Sequence, residues 1–237
     1  MTSPLSEVTA ALEMAADPEA AVVLARYFKT GPGEYGSGDR FIGVKVPVVR
    51  SIVKPYGRVP YDADAWLSLL HSAIHEHRLA ALLAMTYRFP RADPAEQRRM
   101  YRCYLDNTVF INNWDLVDLS CRAVVGGYLL DRDRTVLDVL ARSDSLWERR
   151  IAMISTHEFI RRGETADTYR IALILINDDQ DLIHKAVGWS LREAGKRVSR
   201  RELLEFLDQH AAELPRTALR YAVEHLEPEL RRQYLAR

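Results

Sequence analysis

Cysteine is almost missing from this chain. Cys103 and Cys121 form no metal-binding spacing and no disulfide framework, so they read as free thiols in a reducing cytosol. Long apolar runs are also lacking; nothing approaches the ~20 residues of a membrane helix. Residues 1–25 carry no lysine or arginine, and the acidic N-terminus does not resemble a signal peptide. Charge of one sign is absent overall, since 33 basic residues balance 33 acidic ones. Such balance permits a nucleic-acid partner only if the basic residues gather on one face. These absences describe a soluble, intracellular protein, and 237 residues are enough to bury a large core.

What is abundant is helical periodicity, with no convincing alternation of strand type. Helix starts are punctuated by Asp17-Pro18, Pro47, Asp62 or Asp64, Asp93-Pro94, Ser145, Asp181, Ser199 and Pro215. The pattern predicts helices near 4–15, 18–29, 47–56, 62–72, 75–89, 94–106, 114–130, 133–142, 145–162, 166–177, 181–197, 199–211, 215–226 and 228–236. Short links between so many helices suggest an all-α fold, an α-solenoid of HEAT-like antiparallel helix pairs with a concave surface, in one domain over 1–237. No internal repeat is exact, and a compact helical bundle is the alternative. The segment TGPGEYGSGDRFIGVK, residues 30–45, interrupts the helices. It reads as a glycine-rich loop, either an ordered connector or a phosphate cradle, although no Walker or dinucleotide spacing is present.

Helical projection at about 100° per residue separates core from outliers. In 114–130, Val117, Cys121, Val124 and Tyr128 share the expected buried arc, with Trp114 at its flank and Asp118 a quarter turn away. Trp114 and Asp118 are one turn apart and can act side by side, or they are a rim tryptophan and a solvated acid. In 181–197 the core arc holds Ile183, Val187, Ser190 and Ala194. Lys185, Trp189, Arg192 and Lys196 form an opposite stripe. An indole among three cations suits a polyanion with flat rings; a covering helix is the other explanation. The segment SLWERRIAMISTHEF is apolar nearly all round and hence central, which puts Arg149 and Arg150 near buried surface. An arginine there either pairs with an acid such as Glu148 or presents its fork to a phosphate. His71, His75 and His77 cluster at a helix start, but nothing nearby completes a metal set, so they read as surface or packing residues.

Five segments together resemble the HEAT-like-repeat DNA alkylation repair family, the AlkD-type alkylpurine DNA glycosylases. They are ARYFKTGPGEYGSGDRFIGVKVPVVR (25–50), YLDNTVFINNWDLVDLS (104–120), LWERRIAMIST (146–156), DLIHKAVGWSLREAGKR (181–197) and LPRTALRYAVEHL (214–226). They run in order over most of the chain, and WDLVD and HKAVGWSLRE are the most specific. The resemblance implies a lesion-contacting trio of Trp114, Asp118 and Trp189, the last from the KAxGW segment. It implies DNA contacts at Arg150, with Arg149 as an added basic neighbour, and at Tyr27. The long glycine-rich stretch at 30–40 departs from the family pattern and changes the expected groove shape.

The implied chemistry is hydrolysis of the N-glycosidic bond of purines alkylated at N3 or N7. Such a base is cationic and already a good leaving group. The protein has to stabilise a sugar with oxocarbenium character, for which a placed carboxylate such as Asp118 contributes ~3–4 kcal/mol. Trp114 and Trp189 add cation–π attraction of ~0.5–2 kcal/mol each. Lys185, Arg192 and Lys196 join Arg150 on backbone phosphates. The expected partner is duplex DNA carrying alkylated purines, met without flipping the base into a pocket, by a cytoplasmic, nucleoid-associated monomer that needs no cofactor and no metal. A non-catalytic binder of damaged DNA and a helical scaffold for a protein partner are the rival expectations.

Overall fold

The computed structural model describes residues 4–237, which form two compact units divided between Val124 and Val125. Among the described residues every regular element is helical, and the only β feature is an isolated bridge between Arg40 and Ile74. The first unit contains α1 (Pro4–Met14), α2 (Pro18–Tyr27), α3 (Val46–Val53), α4 (Ala63–Leu70), α5 (His75–Arg88), α6 (Pro94–Asp106) and α7 (Trp114–Asp118). The second contains α8 (Gly127–Leu129), α9 (Val136–Ala141), α10 (Leu146–Ser155), α11 (His157–Arg161), α12 (Ala166–Ile174), α13 (Asp181–Arg197), α14 (Arg200–His210), α15 (Arg216–Ala222) and α16 (Pro228–Leu235). This is the all-α, stacked helix-pair architecture that the periodicity predicts.

The capping residues act as their chemistry requires. Asp17 accepts from the amides of Glu19 and Ala20, Asp62 from Ala65, Asp93 from Glu96, Ser145 from Glu148 and Ser199 from Glu202. Each satisfies an amide that has no partner within its helix.

Each unit is organised round one enclosed helix. In the first it is α5, packed against α1, α3, α4 and α7, and every residue from His75 to Met85 is buried. In the second it is α13, enclosed by α10, α11, α12, α14 and α15. The predicted core arc of α13 is buried at Ile183, Val187, Ser190 and Ala194, and Gly188 shows how closely α15 approaches. A Cβ added at Gly188 would come within 2.4 Å of the Ala218 carbonyl oxygen and 2.6 Å of the Tyr221 Cβ. Only a residue without a side chain allows that spacing.

Two predicted helices are broken in the structure. The segment 114–130 is α7, a turn, a π-helical turn at Arg122–Gly126, and α8. Near the break, Ser120 Oγ hydrogen-bonds the Leu116 carbonyl at 2.5 Å and meets the buried Tyr104 hydroxyl at 2.9 Å. A side-chain hydroxyl on a carbonyl of the helical ladder competes with the regular bonding pattern. The wider π turn shifts the phase of the residues after it. Val117, Cys121 and Val124 are buried as expected, but Val125 and Leu129 continue the core and Tyr128 lies half-buried, with the Arg132 guanidinium 4.2 Å from its ring centre. The segment 145–162 likewise divides into α10 and α11 at Thr156, whose hydroxyl bonds the Met153 carbonyl at 2.7 Å.

Candidate nucleic-acid interface

In the first unit the glycine-rich stretch is an ordered strap laid over the start of α5. Glu76 holds it: its carboxylate accepts from the amides of Ile42 (3.1 Å), Gly43 (2.8 Å) and Val44 (3.1 Å). Gly43 has φ +90, and a Cβ there would strike the Asp17 carbonyl oxygen at 1.9 Å, so this turn requires glycine. The Asp17 amide bonds back to the Ile42 carbonyl at 2.9 Å, which joins the strap to the head of α2.

Beneath the strap lies a buried charged network. Asp39 receives Arg78 Nη2 at 2.5 Å and His75 Nδ1 at 2.9 Å, while His75 Nε2 meets Asp115 Oδ2 at 2.9 Å. His75 is only 1% exposed. Burial pulls its pKa down, but the hydrogen bonds and charges of Asp115 and Asp39 outweigh this and raise it above its ordinary value. For Asp39, burial works upward, and His75 and Arg78 together hold the carboxyl below the usual range. The spacing of His71, His75 and His77 gave no sign of this network, because its carboxylates come from 36 and 40 residues away.

The same strap and the end of α2 build an aromatic platform under α7. Trp114 stacks on Phe28 (centroids 5.1 Å apart, planes 18° apart), Phe28 stacks on Phe41 (5.1 Å), and Phe41 stacks on the His75 ring (4.4 Å). Tyr27 meets the indole edge-on at 5.9 Å and is itself 62% exposed. Asn113 starts α7 by accepting from the Trp114 amide. Along this helix Asp115, Leu116 and Val117 are buried, whereas Trp114 and Asp118 are half-exposed on a shared rim. The two residues of WDLVD singled out in the sequence are thus its accessible pair, and the intervening aspartate belongs to the network below.

In the second unit Trp189 is half-exposed on α13, edge-on to His157 at 4.5 Å, and His157 Nε2 lies 2.8 Å from Ser190 Oγ. Packed helices do not seal the indole. Of its predicted cationic stripe, Lys196 is exposed, Lys185 pairs with Asp181 at 2.7 Å, and Arg192 pairs with Glu224 and lies 3.4 Å from Glu193. Burial works to raise the Glu193 carboxyl, but Arg197 and Arg192 bring it below its ordinary range. Arg150 is 5% exposed and donates to the Leu182 carbonyl at 2.5 Å, tying α10 to the first turn of α13. Arg149 pairs with Asp178 at 2.6 Å and also donates to the carbonyls of Ser143 and Asp144. Among the described residues no cluster of three His, Cys, Asp or Glu side chains has metal-ligand geometry.

The described residues form an all-helical protein in which Trp114 and Asp118 in one unit and Trp189 in the other are partly exposed. The chain belongs to the DNA alkylation repair enzyme family, whose sequence profile matches residues 8–226. Among solved structures it is similar to a predicted DNA alkylation repair enzyme from Enterococcus faecalis, with a TM-score of 0.72 at 18% identity, over 90% of this chain and 97% of that one. That likeness concerns the fold. No curated protein matches the chain. Family membership gives the protein a role in DNA repair, and no helix among the described residues is long and apolar enough to cross a membrane.

Proposed function

We propose that the protein is a DNA glycosylase that hydrolyses the N-glycosidic bond of purines made cationic by alkylation at N3 or N7. The observation that carries this reading is the half-exposed rim of α7. There an indole on a rigid aromatic platform and the Asp118 carboxylate stand one helical turn apart, beside three buried residues. A fixed indole attracts a cationic nucleotide without losing freedom of its own, and a partly buried carboxylate acts strongly on a sugar that gains positive charge.

In the proposed reaction the C1′–N bond breaks and its electron pair neutralises the departing base. A water oxygen bonds to C1′, and its proton passes by way of Asp118 to solvent. Trp189 of the second unit meets the DNA with its own half-exposed indole. Lys185, Arg192 and Lys196 contact backbone phosphates, and Tyr27 contacts the DNA. Arg150 contributes to duplex binding by holding the first turn of α13, on which Lys185 stands, and Arg149 supports the neighbouring turn through Asp178.

The test is incubation with duplex DNA containing N7-methylguanine. Free base should appear with the wild-type protein and disappear with Asp118→Asn, while duplex affinity survives. Tight binding without release of base refutes the enzyme and favours a non-catalytic binder of damaged DNA.

A further inference from the structure

The His75 imidazole lies between two carboxylates, with Asp39 Oδ2 2.9 Å from Nδ1 and Asp115 Oδ2 2.9 Å from Nε2. An ionised carboxylate only accepts hydrogen bonds, so both contacts are satisfied together only when both ring nitrogens carry protons. The geometry therefore calls for an imidazolium. Its surroundings favour one: Asp39 faces it from the strap and Asp115 from α7, while its own helix supplies Arg78, which pairs with Asp39, and Glu76, which holds the strap. Phe28 and Phe41 cover the ring, and Lys45 shares with it the lining of an approximately 20 Å³ cavity. The raised pKa of His75 agrees with that protonation state.

Two segments distant in sequence are joined by this one ring. The strap brings Phe41 beneath Phe28 and so supports the Trp114 indole. Asp115 lies directly after Trp114 in α7, and its other oxygen accepts from the Leu116 amide at 2.8 Å. Loss of the second ring proton leaves a lone pair facing a carboxylate at hydrogen-bond distance, which repels the strap or the α7 turn.

We propose that His75 is a positioning residue, a buried imidazolium clasp that holds the strap and the α7 turn together and thereby sets the Trp114 indole and the Asp118 carboxylate on their shared rim. Its bearing on catalysis rests on the reading of Trp114 and Asp118 as the reacting pair. The clasp itself is a structural claim with its own readout.

The experiment combines nitrogen NMR of the histidine rings and of the Trp114 indole with single-turnover base release at saturating duplex, from about pH 5 to pH 10. Both His75 nitrogens should be protonated at neutral pH. On raising the pH, the Trp114 indole resonance and the release rate should change with the midpoint of the His75 titration, while affinity for undamaged duplex changes little. His75→Gln should lower the saturating rate by about tenfold or more, since small misplacements of reacting groups are costly. Asp39→Asn offers Nδ1 a donor, so the ring then needs only one proton, and release should persist to higher pH than in the wild type. This second variant and the wild-type titration carry the test if His75→Gln does not fold. A neutral His75 ring at neutral pH, a Trp114 resonance indifferent to its titration, or a folded His75→Gln with the wild-type saturating rate overturns the proposal. If the wild type releases no base, the glycosylase reading fails and the resonances alone decide the clasp.

Discussion

The indole of Trp114 lies flat on the ring of Phe28, 5.1 Å between centroids. Phe28 is 5% exposed and is at once the C-terminal cap of α2, the neighbour of Phe41 and the support of Trp114. An indole held this way loses little freedom on meeting a nucleotide, which is how preorganisation raises affinity.

Phe28→Ala should therefore damage both stability and site. Removing a buried aromatic ring costs about 3–5 kcal/mol. Thermal unfolding should show a lower Tm, and at temperatures where the variant is folded, binding of lesion-containing duplex should weaken more than binding of undamaged duplex. Equal weakening of the two contradicts the platform.

Glu76→Gln leaves a hydrogen-bonding group of the same size but removes the charge that three amides share. Hydrogen bonds to charged groups contribute about 1.5–3 kcal/mol, so the strap should open more readily at a cost of that order. Hydrogen exchange at Ile42, Gly43 and Val44 should accelerate, while amides in the second unit remain protected. Unchanged exchange at those three positions would count against the strap.

The pH dependence of stability comes from two shifts of opposite sense. His75 has a folded pKa raised above its ordinary value, so its contribution is fully present below about pH 6.5 and is lost as pH rises through the folded value. Asp39 has a lowered folded pKa, so its contribution is present above about pH 3.9 and is lost as pH falls through the folded value. Denaturant unfolding should place the fullest stabilisation from this network between those limits. Replacing His75 should flatten the alkaline side selectively, and an unaltered alkaline limb in His75→Gln contradicts the assignment.

Gly188→Ala tests the second unit. The added methyl meets backbone and side-chain atoms of α15 at 2.4 Å and 2.6 Å, so α13 and α15 must separate. Overpacking of this kind costs about 1–3 kcal/mol. A reduced Tm is expected, with altered fluorescence from the adjacent Trp189. A variant as stable as the wild type disproves the close approach.

Helix starts were legible in the sequence because capping is local: Asp17, Asp62, Asp93, Ser145 and Ser199 act on amides two or three residues away. The core arc of α13 was legible for the same reason. The division of 114–130 was not, since the Tyr104 hydroxyl and the Ser120 side chain alter the backbone through contacts that periodicity does not record. Nor were the partners of the stripe on α13: Arg192 meets Glu224 on the next helix pair, 32 residues away.

Local sequence was enough for the helical class and most helix boundaries, because period and caps are properties of neighbouring residues, whereas the interest of Trp114, Asp118 and Trp189 came from the resemblance of their segments to the family. Tertiary structure alone decided that Asp115 is buried while Asp118 reaches the rim, that Phe28 and Phe41 carry the Trp114 indole, and that His75 sits between Asp39 and Asp115. Those contacts join segments tens of residues apart. Their energies come from desolvation and charge, which act through space and leave no period along the chain.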